Sequence, residues 1–527
     1  MHINKLIFKN MKTVFRTTLV IWFSLFIMIP EIAKSGNKTI YPNQVKQNNS
    51  ISLGVKPITG TWINLAYKDV RNKYTNPQYF DNTDPELWES KVNELANMGI
   101  EYLVLMEVAN EGKAYYPSKI MPWLYNQTKT SPVDAILNAA SKHKMKVFLS
   151  TGWAKDQDDN LRDPQIKERQ LQIMEELASL YRNSKAFYGW YLPVEDCLCP
   201  ILEESAVQSV NSLVEKAHAL TPGKKTMISP YGIGLSDFDN PEYEKQLAKL
   251  KVNIIAYQDE VGCVRDQFTI PRLKKNWKRL RDIHNRLKIE MWANCETFTW
   301  EEGTNDRNSA LIPAAYPRLL SQQVAASVAP VDRIISFMFG GIIENPSSAF
   351  QLGQPVWSNV LYKNYMSWRR GDIYWKLFEA SLLGRLKTIA TPNMTDVKEW
   401  QNLFDGKTAE ENSGDANWIK FPKGYHEIII DLQKTRLVEK IMMRMLNYHV
   451  ENISLPPKVY LYVSSDGKNY DLLSIKETPY FPNNKHDAWI DGVLFNEVHR
   501  SVKYVKVAFY NSSSTFMDEL YINPTVE

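Results

Sequence analysis

The sequence predicts an α/β protein: a (β/α)8 TIM barrel followed by an all-β jelly-roll sandwich domain. Three observations lead there. From residue 58, short apolar runs alternate with amphipathic helical stretches eight times over. Such alternation builds a parallel sheet, and eight units suffice to close it into a barrel. The runs are almost continuously apolar, as strands covered on both faces are. After about residue 385 the helical periodicity stops, and short strands with turn signals take over. An open doubly wound sheet is the alternative, but no G-x-G-x-x-G follows any strand and no phosphate-loop motif occurs.

The elements follow in order. Ile58–Tyr67 is a first strand, and Pro85–Met98 its helix, with Leu87, Val92, Leu95 and Ala96 at helical spacing and Gly99 as a stop. Ile100–Val108 is a second strand with helix Pro132–His143, and Lys146–Trp153 a third with helix Pro164–Tyr181. Ala186–Val194 is a fourth with helix Ala206–Leu220, and Lys225–Pro230 a fifth with helix Glu242–Leu250. Val252–Tyr257 is a sixth with helix Pro271–Leu287, and Lys288–Asn294 a seventh with helix Pro313–Val328. Arg333–Phe339 is the eighth, followed by helix Ser358–Trp368. Beyond the linker Pro392–Thr395, the β-type runs are Tyr425–Leu432, Val438–Leu446, Lys458–Ser464, Tyr470–Ser474 and Tyr504–Tyr510. The expected organisation is a signal peptide over 1–35, a barrel over 55–384 and a sandwich over 396–527.

The chain of 527 residues starts with a basic segment (Lys5, Lys9, Lys12, Arg16), an apolar run Thr17–Pro30 and small residues at Ala33 and Ser35. That order is a secretory signal, cleaved near Ser35, and the run is too short for a comfortable membrane span. Export to the periplasm or the medium is expected, without a stable membrane anchor. Residues 1–35 carry five Lys/Arg and one acid, a net +4; the whole chain is also +4, so the remainder is near neutral. Nothing in that balance calls for nucleic acid as a partner. The cysteines are Cys197, Cys199, Cys263 and Cys295, all near strand ends, and export permits a disulfide. The 8 His form no H-E-x-x-H or similar pattern, so no catalytic metal is expected.

In such a barrel the chemistry sits at the C-terminal ends of the strands. Those ends carry Glu107, then Trp153, then Glu195 and Asp196, then Tyr231, then Gln258, Asp259 and Glu260, then Asn294, Glu296 and Trp300, with Glu344 after the eighth strand. Converging carboxylates raise one another's pKa and are costly without a purpose. Glycoside hydrolysis needs such a set: one protonated acid for the leaving oxygen and one carboxylate as nucleophile or base. Barrel loops are polar in any case, so Glu107, Asp196 or Glu260 alone carries little weight; Glu195 with Glu296 carries more, through strand-end placement.

Gly189-Trp190-Tyr191-Leu192-Pro193-Val194-Glu195 resembles the strand-four G-W-x-x-x-N-E pattern of retaining barrel glycosidases, with Val194 where they carry Asn. The resemblance makes Glu195 the acid/base. Trp292–Phe298 resembles their strand-seven end, which makes Glu296 the nucleophile. The barrel as a whole resembles the glycosyl-hydrolase-like barrels described as DUF4434, common in gut Bacteroidetes, through Tyr115-Tyr116-Pro117-Ser118, Gln258-Asp259 and the W-x-N-x-E at 292–296. The C-terminal stretch resembles the galactose-binding-like (discoidin, F5/8 type C) module through Leu403–Lys407, Trp418-Ile419, Ser464–Gly467, Tyr504–Val507 and Asp518-Glu519-Leu520. That resemblance implies sugar binding or plain packing, with a structural calcium in some members.

The expectation is therefore an exported glycoside hydrolase with Glu195 and Glu296 as catalytic carboxyls and no required cofactor. Trp62, Tyr116, Trp153, Trp292 and Trp300 are candidate sugar platforms. Glu107, Asp196, Tyr231, Gln258, Asp259 and Asn294 are candidate polar or ring contacts to substrate. The alternatives are a non-catalytic glycan-binding protein on a degenerate barrel, which Val194 favours, and a different carbohydrate enzyme using Asp196 or Asp259 as its acid.

Overall fold

The computed structural model describes residues 54–65, 73–74, 84–151, 162–264, 269–303, 308–348, 351–352, 357–372, 386–389, 392–394, 398–478 and 487–526. The expected signal segment and Trp153 lie outside the described residues. No described helix is long and apolar enough to cross a membrane.

Eight parallel strands close into a barrel: β1 (Ile58–Ile63), β2 (Tyr102–Leu105), β3 (Lys146–Ser150), β4 (Phe187–Tyr191), β5 (Lys225–Ile228), β6 (Ile254–Gln258), β7 (Glu290–Glu296) and β8 (Arg333–Phe337). Closure is made by β1, which pairs in parallel with both β2 and β8. The helices are α1 (Pro85–Asn97), α2 (Pro132–Lys142), α3 (Pro164–Tyr181), α4 (Glu204–Leu220), α5 (Pro241–Ala248), α6 (Ile270–Arg286), α7 (Tyr316–Val328) and α8 (Ser358–Arg370).

Four helices begin with one local device. Asp84, Ser131, Asp163 and Asn240 each accept a first-turn N–H on the side chain and are each followed by proline. The cap satisfies an amide the helix cannot, and proline at the next position lacks one to satisfy.

Several predicted boundaries move by a few residues, and two of the moves bear on the site. Strand seven was expected to stop at Asn294; it runs on to Glu296, which therefore stands on the strand itself. The helix expected from Pro313 starts at Tyr316, because Leu311–Pro313 pairs antiparallel with Phe298–Trp300 in a hairpin above β7.

Inside the barrel, side chains fill layers. At the N-terminal end of the strands, the Trp292 ring packs edge-on against Tyr102 at 5.0 Å and Phe148 at 5.9 Å, and Lys146 and Arg333 lie over Tyr102. Nearer the C-terminal end, Trp62 meets Tyr191 edge-on with centroids 4.5 Å apart.

The C-terminal part holds two antiparallel sheets. One has the order β9 (Asn393–Met394), β11 (Gly424–Val438), β16 (Arg500–Asn511), β13 (Lys458–Ser464), β14 (Asp471–Glu477). The other has the order β10 (Ile419–Phe421), β17 (Thr515–Ile522), β12 (Ile441–Tyr448), β15 (Ala488–Phe495). Alternation along β12 explains how the parts join. Met443 and Met445 face the core shared by the two sheets, whereas Met442 and Leu446, one residue out of phase, belong to the barrel's apolar core. Ile490, Leu494 and Phe516 lie on that same outer face, so the four-stranded sheet is buried on both sides.

Candidate functional site

The site is built at the C-terminal ends of β4, β6 and β7. Four residues past β4, Glu195 accepts the Tyr191 hydroxyl at 3.2 Å. Its residue surface is exposed, while protein atoms crowd around it. That crowding raises its carboxyl above the ordinary range, opposed by the Tyr191 bond.

Glu296 ends β7 with 5% of its surface accessible. One carboxyl oxygen accepts the backbone N–H groups of Gly262 at 2.8 Å and Cys263 at 2.6 Å. Gly262 is needed there: a Cβ would stand 2.3 Å from the Phe298 carbonyl oxygen and 3.0 Å from the Glu296 Cβ. Burial, then the charges of Asp259 and Glu260, push the Glu296 carboxyl up to about 8. Asp259, fully buried, accepts the Glu296 backbone N–H at 3.1 Å and the Gln322 amide at 2.6 Å. Burial raises its carboxyl too, against the pull of those bonds and of Arg318. Glu260, at φ +56°, is also raised by burial, while the backbone N–H groups of residues 232–234 in the loop after β5 hold it.

A run of ring and hydrogen-bond contacts crosses the barrel interior from β4 to β7. The Trp62 indole N–H donates to Asn294 Oδ1 at 3.0 Å, and Asn294 donates to Ser229 Oγ at 3.2 Å. Gln258 donates to the Ser229 carbonyl at 2.9 Å. Glu195 thus connects through Tyr191 and Trp62 to Asn294, two residues before Glu296 on β7.

Among the predicted contacts, Tyr231 is 41% exposed near the mouth, and Asp196 pairs with Arg162 at 2.7 Å. Trp300, half-buried, packs edge-on against Phe298 in the hairpin. Four expectations are corrected. Trp62, 2% exposed, has its N–H and ring used inside the barrel, so it is no open platform. Trp292, 1% exposed, sits in the lower interior layer, because its place two residues before Asn294 puts it one layer down. Tyr116 is fully buried and donates to Glu176 on α3 at 2.8 Å, outside the barrel. Glu107 is fully buried and accepts the backbone N–H of Leu65, so it fixes the loop after β1. Glu344, also at a strand end, is spent on a buried ion pair with Lys91 of α1 at 2.8 Å.

Arg318 and Gln322 were missed, although a signal was there: an arginine and a glutamine at i and i+4, on one face of a helix that is buried along most of its length. Cys197 and Cys199 form a disulfide directly after Asp196, with Cys263 and Cys295 outside it.

Among the described residues no group of three or more His, Cys, Asp or Glu is arranged for a metal ion. One pair of carboxyls does suit a hard cation. Glu519 is pushed up to about 8 by burial, with Asp405 beside it adding to the rise, and its Oε1 is buried without a hydrogen-bond partner. A buried, unpartnered carboxylate oxygen with a second carboxyl nearby is the donor chemistry calcium takes.

No curated protein matches the chain. Among solved structures, a protein of Bacteroides thetaiotaomicron described as a candidate α-L-fucosidase is 19% identical, with 64% of this chain and 99% of that chain covered and a TM-score of 0.47. A family 5 glycoside hydrolase from Bacteroides vulgatus is 9% identical, with 81% and 86% covered and a TM-score of 0.38. A CBM32 module from a family 31 glycoside hydrolase of Clostridium perfringens is 20% identical over 26% of this chain and 92% of its own, with a TM-score of 0.18. Likenesses this loose carry no argument about activity. The family match is firmer: residues 58–350, more than half of the chain, match the domain of unknown function DUF4434, and the chain belongs to that family.

Proposed function

We propose that this protein is an exported glycoside hydrolase acting on an oligo- or polysaccharide, with Glu195 and Glu296 as its carboxyl pair. One observation carries the reading. Two carboxyls, both lifted above their ordinary range, stand at the ends of the fourth and seventh strands of a closed barrel, with the Tyr191–Trp62–Asn294 contacts filling the interior between those strands. In the favoured retaining scheme, Glu195 protonates the glycosidic oxygen as the bond to the anomeric carbon breaks. Glu296, aimed by the Gly262 and Cys263 amides, attacks that carbon. Glu195 then takes a proton from water as water releases the glycosyl group. Tyr231, exposed on the segment that pairs with Cys197 after the fourth strand, is the ring available for stacking on sugar. The C-terminal sheets are, in this reading, a galactose-binding-like jelly roll, with Asp405 and Glu519 holding a structural calcium.

The test is turnover of a panel of aryl glycosides and oligosaccharides by the full chain and by Glu195→Gln and Glu296→Gln. Each variant should lose about 10²–10⁴-fold in kcat while staying folded, and the anomer first released should match the substrate's. Unchanged turnover in both variants sinks the assignment. No turnover by the unmodified chain, with glycan binding intact, leaves the reading that Val194 favours, a glycan-binding barrel.

A further inference from the structure

The C-terminal sheets reach the Glu296 site through one ion pair. Arg318 on α7 and Asp487, which leads into β15, are both fully buried, with Arg318 Nε 3.5 Å from Asp487 Oδ2. Asp487 also accepts the Thr299 hydroxyl at 3.2 Å. The remaining guanidinium bonds go to neutral groups: the carbonyls of Glu296 at 3.0 Å and Phe298 at 2.5 Å, and the Gln322 amide oxygen at 2.9 Å. Gln322 in turn donates to Asp259 at 2.6 Å and to the Glu296 carbonyl at 3.1 Å. Arg318 therefore orients the end of β7 while its charge is matched by a residue of the other sheet system.

The charged and titratable groups facing Glu296 among the described residues are few. They are Asp259 and Glu260 from the end of β6, Cys295 beside it on β7, and Arg318 from α7.

We propose that Asp487 is a positioning residue for the Glu296 site: as the ion partner of Arg318, it draws the guanidinium charge away from the Asp259 and Glu296 carboxyls. Two buried carboxyls in that state hold one proton between them. The upward direction found for both agrees. The C-terminal sheets are then part of the catalytic unit and set its proton inventory. This rests on Glu296 being the functional carboxyl.

The test is a pH titration of the full chain by infrared difference spectroscopy. The protonated-carboxyl band is assigned by its loss in Glu296→Gln. Asp487→Asn should lower the pH at which that band disappears by about one unit, since Arg318 is released to the pair. Asp487→Glu should leave it in place. An unmoved midpoint in Asp487→Asn, or equal shifts in both variants, overturns the proposal. Removing both members of a buried pair is tolerated better than removing one, so Arg318→Gln/Asp487→Asn covers the case in which the single variant does not fold. It should keep the original midpoint, and a shift as large as that of Glu260 or Asp259 neutralised by amide substitution overturns the proposal. Because the band needs no substrate, a shift without any glycoside turnover keeps this inference and loses the glycosidase reading, and turnover without a shift does the reverse.

Discussion

Asp259 accepts the backbone N–H of Glu296 at 3.1 Å, so one buried carboxyl holds the strand end that carries another. Burial first, then the Asp259 charge, raises the affinity of Glu296 for a proton, and its carboxyl is pushed up to about 8. A carboxyl in the unfolded chain titrates near about 4.3. The folded pKa is the higher, so the native state binds more protons between these values. The contribution to stability is complete below about pH 4.3, is lost as pH rises, and is gone above about pH 8. Thermal melts of Glu296→Gln should therefore gain on the unmodified chain between pH 5 and pH 8. A constant difference between the two across that range speaks against a protonated Glu296.

The same proton dictates a pH–rate profile. If Glu296 attacks the anomeric carbon, kcat/KM must rise with pH toward about 8 as it ionises. A rate that falls through that pH makes Glu296 the acid and reverses the two roles.

Asn294 is the hub of the barrel interior, taking the Trp62 N–H at 3.0 Å and donating to Ser229 at 3.2 Å. Asn294→Ala leaves the indole N–H buried without its acceptor and should cost about 1–3 kcal/mol. Urea unfolding at fixed pH measures it.

Gly262 supplies one of the two amides that hold Glu296, at a point with no room for a side chain. Gly262→Ala should destabilise by about 1–3 kcal/mol through overpacking. It should also lower turnover more than it weakens substrate binding, because the loop that aims the carboxyl is pushed away. A variant that unfolds at the same urea concentration with the same kcat would show the contact to be slack.

Lys91 and Glu344 form an ion pair at 2.8 Å with side chains only 6% and 2% exposed. Lys91→Met strands a buried carboxylate and should cost about 3–5 kcal/mol. Lys91→Met/Glu344→Gln should recover much of that, as a melt of the double variant would reveal.

The barrel was legible because its signals are local. Cap-then-proline starts, apolar strand runs and helical spacing depend on neighbours a few residues apart, and they alone determine eight β-then-α units, with Glu195 just past the end of the fourth and Glu296 near the end of the seventh. What a side chain faces was not legible, since it depends on strands far apart in the chain. Only the tertiary structure decided that Trp62 and Trp292 fill the interior while Tyr231 stays open, and that Glu107 and Glu344 are spent on holding loops. It decided likewise that Arg318 and Gln322 hold the Glu296 carbonyl while Asp487 pairs with Arg318. The reason is that burying a charge is favourable only where partners converge from several elements at once, and no local pattern of residues encodes that convergence.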